Sequence, residues 1–72
     1  MFTRETVVHL IGEPCLKLYR AKGKDHWYFE FDDHGLSGIK RVMVKRLNDL
    51  PLATWLNEGR TFAAAMRAKR ER

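Results

Sequence analysis

The chain has a single cysteine, Cys15, so it can form no disulfide within itself. Small secreted domains are usually stapled by disulfides, and a reducing, cytoplasmic setting is therefore expected. Long apolar runs are missing too. The longest, Phe62–Met66, is far shorter than the roughly 20 residues of a membrane-spanning helix, and no membrane partner is expected. The opening Met1-Phe2-Thr3-Arg4-Glu5 carries both signs of charge and leads into no apolar stretch, so no targeting segment is expected. There is no glycine-rich phosphate loop, no internal repeat, no low-complexity tract and no linker. What remains is one domain over residues 1–72.

Hydrophobic residues make up 44% of the 72 and charged residues 32%, a balance that suits a folded chain. Fourteen Lys and Arg against nine Asp and Glu leave a net charge of +5. That bias favours anionic partners, although a charge of about 2–8 also serves solubility in a small domain.

Residues 3–11 predict a short helix. Thr3 is placed to cap it, Glu5 sits where the helix dipole favours an anion, and Gly12 with Pro14 stops it. The run Thr6-Val7-Val8 is β-branched and pulls toward a strand. Residues 15–20 alternate with period two, Leu16 and Leu18 facing one way and Lys17 and Tyr19 the other. A loop at 21–25, centred on Gly23, leads to His26-Trp27-Tyr28-Phe29-Glu30-Phe31-Asp32, the most clearly alternating segment of the chain. Turn residues with two glycines fill 33–38, and a third strand is expected over 39–47. Asn48-Asp49-Leu50-Pro51 reads as a helix start. Leu52, Trp55, Leu56, Phe62 and Met66 then form one helical stripe, with Gly59 on it. The tail, 67–72, is expected to fray.

The expected architecture is α+β: two layers, a three-stranded antiparallel sheet, and the order α-β-β-β-α. Aligning the apolar faces sets Leu18 opposite Phe29 and Leu16 opposite Phe31, and on the other side Phe31 opposite Val42 and Phe29 opposite Val44. The inner face is then Leu16, Leu18, Trp27, Phe29, Phe31, Val42 and Val44. The same register pairs Lys17 with Glu30, Tyr19 with Tyr28, Asp32 with Arg41 and Tyr28 with Lys45 on the outer face. The scarcity of apolar residues there points to both helices covering the inner face.

Little in the chain suggests catalysis. His9, His26, His34 and Cys15 lack the close spacing of a metal site, and neither metal nor cofactor is expected. Cys15 has no identifiable partner histidine and reads as a small, half-buried side chain. Glu30 and Asp32 share a face, but each is expected opposite a cation, a setting unsuited to a general acid. A two-layer domain this thin has little room to enclose a small-molecule substrate. The chain is not expected to be an enzyme.

Basic clusters are the stronger candidates. One is the first loop, with Arg20, Lys22 and Lys24. A second is the third strand, with Lys40, Arg41, Lys45 and Arg46, where charge also protects a sheet edge. A third is the tail, with Arg67, Lys69, Arg70 and Arg72, where cations also suit the helix dipole.

The order helix, three strands, helix resembles the double-stranded-RNA-binding domain over nearly the whole chain. The resemblance implies both helices on one face of the sheet. That family reads RNA largely with a Lys-rich start to its second helix. Here the matching stretch is Asp49-Leu50-Pro51-Leu52-Ala53-Thr54, acidic to neutral, and the first helix is shorter, so architecture alone carries over. Trp27-Tyr28-Phe29-Glu30-Phe31-Asp32-Asp33, followed by Arg46-Leu47-Asn48-Asp49-Leu50-Pro51-Leu52 and Trp55, is similar to small proteins encoded by bacterial phages and prophages. That likeness implies a compact accessory protein acting on a host or phage component.

Two functions are in play. The first is a protein-interaction or self-associating module that uses the outer sheet face, with Lys17, Tyr19, Tyr28, Met43 and Lys45, where Tyr and Met suit a protein partner, or the sheet edge, where a strand could pair. The second is a nucleic-acid-binding domain that uses Arg20, Lys22, Lys24, Lys40, Arg41 and Arg46. A continuous basic band would favour the second, a broken one the first.

Overall fold

Thr3 opens the first helix as predicted. Its extended backbone, φ −110° and ψ 169°, brings its hydroxyl to the Thr6 amide, which donates to it over 3.3 Å. One otherwise unpaired first-turn amide is thereby satisfied. The computed structural model describes residues 1–70, and helix α1 spans Arg4–Ile11. Gly12 ends it at φ 76°, its amide donating to the Val8 carbonyl over 3.1 Å. The left-handed region is open to glycine because it lacks a Cβ. Val7 and Ile11 are buried, and that tertiary burial overrides the strand preference of the β-branched run.

Strands β1 (Leu16–Arg20), β2 (Trp27–Asp33) and β3 (Leu36–Val42) form one antiparallel sheet in that order. The first hairpin has the predicted register, with Leu16 opposite Phe31, Lys17 opposite Glu30, Leu18 opposite Phe29 and Tyr19 opposite Tyr28. The second hairpin corrects the prediction. Phe31 pairs with Gly38 rather than Val42, Phe29 with Lys40 rather than Val44, Asp32 with Ser37 rather than Arg41, and Tyr28 with Arg41 rather than Lys45. The cause is a tight turn. His34 at φ 48° and Gly35 at φ 86° both take positive φ, which is the requirement of a two-residue hairpin turn matched to strand twist. The strand therefore begins at Leu36, not residue 39, and ends at Val42, not residue 47. The offset is an even number of residues, so every β3 side chain keeps its predicted face while changing its neighbour.

The chain leaves the sheet after Val42, where the Val44 amide turns back to the Val42 carbonyl over 2.9 Å. A 3-10 turn, Leu47–Asp49, precedes helix α2, Leu52–Arg70. The helix starts later than Asn48. The Pro51 carbonyl closes its first turn by accepting the Thr54 and Trp55 amides at 3.0 and 3.3 Å. Residues 67–70 continue this helix rather than fray. Arg67 donates to the Glu13 carboxylate, 3.1 Å from Nε, and its guanidinium lies 5.8 Å from the Phe31 ring centre. That hydrogen bond raises the Arg67 pKa further. Residues 71 and 72 of the expected frayed tail lie outside the described residues.

The core lies between the sheet and the two helices. Val7, Leu16, Phe29, Phe31 and Trp55 are the largest fully buried side chains, each contributing about 1.5–3 kcal/mol. Trp55 meets Phe29 and Trp27 edge-on, at ring-centre distances of 6.0 and 6.2 Å. Its indole N–H donates to the Leu47 carbonyl over 2.7 Å, and that of Trp27 to the Lys45 carbonyl over 3.4 Å. The two indoles thus tie down the β3–α2 connection, and Val44 packs against the core from there rather than from the strand. At Gly59, α2 packs closely on α1 and β2: a Cβ there would overlap the Ile11 side chain and stand 3.1–3.2 Å from the Phe29 ring.

Candidate binding groove on the open face of the sheet

Because the helices share the inner face, the other face is left to solvent. From β1 to β3 it presents Lys17 and Tyr19, then Tyr28, Glu30 and Asp32, then Ser37, Ile39 and Arg41, and none of them is buried. The Tyr19 and Tyr28 rings lie 5.6 Å apart between centres, tilted by 37°. That pair follows directly from the predicted Tyr19–Tyr28 register. Ile39 is 61% exposed and Met43 73%, unusually open for apolar side chains of that size.

This face is split by charge along the strands. At the β2–β3 turn end, Glu30 and Asp32 border a small hollow with Ser37, Gly38 and Ile39. At the opposite end lies a broad open groove of about 930 Å³. One wall is the β1–β2 loop, with Ala21, Lys22 and Lys24. The floor is His26 and Tyr28 from the β2 side. The far wall is the β3 side, with Ile39, Lys40, Arg41 and Met43. Four cations line the groove and no carboxylate does.

The corrected register builds this groove. With Tyr28 opposite Arg41, Arg41 stands at the end of the sheet nearest the β1–β2 loop rather than beside Asp32. Two segments predicted as separate basic clusters therefore face each other across one concavity. Among the described residues the ion pairs are Arg4–Glu5 and Arg67–Glu13, with His34 Nε2 3.6 Å from the Asp33 carboxylate, and no cation of the groove takes part in one.

Of the residues predicted to bind nucleic acid, Lys22, Lys24 and Arg41 converge here, and Lys40, which pairs with Phe29 on the inner side, borders the groove from the edge strand. Arg20 does not: it pairs with Trp27 on the other side of the sheet and borders an adjoining hollow that shares Lys22 and Lys24 with the groove and is also lined by Asp25. Arg46 lies beyond the strand, its amide donating to the Asp49 carboxylate over 3.0 Å. Of the residues predicted to bind protein, Tyr28 and Met43 line the groove, and Tyr19 adjoins it through Tyr28. Lys17 instead lines a shallow hollow between α1 and β1, with Arg4, Glu5 and Val8. Lys45 has left the sheet and is exposed.

Sequence reasoning missed His26 and Ile39. Period two from Tyr28 would have placed His26 on the same face. Period two from Arg41 would likewise have placed Ile39 there, and the His34-Gly35 turn adds that it stands opposite Glu30. Elsewhere, among the described residues, no three His, Cys, Asp or Glu side chains come together as a metal site would require. Among the described residues no helix is long and apolar enough to cross a membrane.

No family model matches the chain, and neither a curated protein nor a solved structure does.

Proposed function

We propose that the chain is a non-enzymatic nucleic-acid-binding module that takes its ligand in the groove between the β1–β2 loop and β3. One observation carries the reading: Lys22, Lys24 and Arg41, with Lys40 at the edge, line a concavity that no carboxylate lines and whose floor is aromatic. Phosphates reward uncompensated cations, because binding releases the counterions condensed on the nucleic acid. The floor suits bases, which stack on aromatic rings. A cytoplasmic setting belongs to the same reading, supported by the lone Cys15.

The test is fluorescence anisotropy with labelled oligonucleotides across a salt series. With four phosphates neutralised, log K is expected to fall against log salt with a slope of about −2.8 for a single strand and −3.6 for a duplex. A variant carrying Lys22→Gln, Lys24→Gln, Lys40→Gln and Arg41→Gln should lose most of the affinity and flatten the slope. Absence of binding to any DNA or RNA at low salt would end this reading.

A second reading, a protein partner or self-association on the same face, is favoured by the exposure of Ile39 and Met43 beside the Tyr19–Tyr28 pair. Exposed apolar and aromatic side chains of this kind mark protein-binding patches. It requires a complex that survives high salt and is lost on replacing Ile39 and Met43 with Thr.

A further inference from the structure

We infer that the groove takes a single nucleic-acid strand, laid across the β-strands at the loop end of the sheet, with a base stacked on Tyr28. The inference rests on the nucleic-acid reading above and narrows it.

The charge split along the strands is the reason. A duplex presents two phosphate backbones, separated by a major groove about 12 Å wide. Along β2, Tyr28 to Asp32 spans four residues, about 13 Å at the usual rise of a strand. A duplex placing one backbone on the lysines and Arg41 would therefore set the other over Glu30 and Asp32. Turning the duplex so that the strands run along its groove does not help. The β1 side then offers Lys17 alone from its strand, and Lys17 stands opposite Glu30, while both carboxylates face the bases. One backbone crossing the loop end along the groove meets lysines and Arg41 and no carboxylate among the residues that line it.

The floor makes the same distinction. Tyr28 is half-buried and braced by Tyr19 at a ring-centre distance of 5.6 Å, which holds its ring in place. Bases inside a duplex are already stacked on one another and have no free face to offer, whereas those of a single strand do.

Anisotropy titrations of the whole chain with one labelled strand, as DNA and as RNA, and with its blunt duplex, test this at about 50 mM salt. The single strand is expected to bind at least about tenfold more tightly than the duplex. Tyr28→Leu, which keeps apolar bulk but removes the ring, should weaken single-strand binding by about 5- to 150-fold, the usual worth of one stacked base. Tyr28→Phe should retain it, and the salt slope should stay the same in both. Glu30→Gln with Asp32→Asn should strengthen duplex binding more than single-strand binding. Duplex affinity equal to or above single-strand affinity would overturn the inference while leaving the nucleic-acid reading intact. So would a Tyr28→Leu variant that melts like the parent and binds the single strand equally well. Failure of both ligands to bind would remove the reading and the inference together.

Discussion

The two faces of the sheet are built from the same three strands, yet they follow opposite rules. The inner face is closed by α1 and α2 over Leu16, Leu18, Phe29 and Phe31, and its aromatic rings meet edge-on at van der Waals packing distances. The outer face carries two exposed apolar side chains, a tyrosine pair, cations without a lining carboxylate at its loop end, and Glu30 and Asp32, with Lys17 opposite Glu30, toward the other. Shape complementarity therefore governs the first and electrostatics the second. Substitutions on the inner face should change stability, and those at the basic end of the outer face should change binding with the fold intact.

The largest effect is expected from Trp55→Ala. It removes a fully buried ring and leaves the Leu47 carbonyl without its indole donor. A loss of about 3–5 kcal/mol is a large share of what a small domain has, and the cooperative thermal transition should shift far downward or vanish. Gly59→Ala comes next. Alanine favours a helix by about 1 kcal/mol over glycine, but the added methyl meets Ile11 and the Phe29 ring, and overpacking costs about 1–3 kcal/mol. A net loss in urea denaturation is expected. Ile11→Val, which shortens the side chain in the way, should offset part of it in a double-mutant cycle. A stabilised Gly59→Ala would show that the helix does not pack as closely as described.

Smaller effects test the hairpin that sets the groove. Gly35→Ala forces a Cβ into the left-handed region and should cost about 1–2 kcal/mol. His34→Asn, at φ 48°, should instead raise the melting temperature slightly, because asparagine is the preferred residue there. The smallest stability change is expected from Met43→Thr on the open face, within about 0.5 kcal/mol of the parent.

How much of this the sequence disclosed differs between the two hairpins. The β1–β2 register was legible because two alternating segments flank a loop centred on Gly23, and a slip by one would expose Leu16 and Leu18. The β2–β3 register was not. Asp32-Asp33-His34-Gly35-Leu36-Ser37-Gly38 is polar and holds two glycines, so it reads as one long turn. Only Gly35 serves the turn. Gly38 lies within β3 because Met66 and Phe62 of α2 cover it, leaving no room for a side chain without moving the Met66 thioether. That requirement is tertiary, and no local pattern announces it. Face assignments survived because the error was even in residue number. The cross-strand partners did not, and the groove is made of partners: its four cations were all named from sequence, but in two clusters that only the register joins.

The comparison of the two faces is tested most directly by mapping amide chemical shifts in an isotope-labelled sample titrated with a short single-stranded oligonucleotide at low salt. The expected changes are confined to Ala21–Lys24, His26, Tyr28 and 39–43, while α1, α2 and the core strand positions stay still. Changes centred on the helices, or none at all, would contradict a nucleic-acid site on the open face.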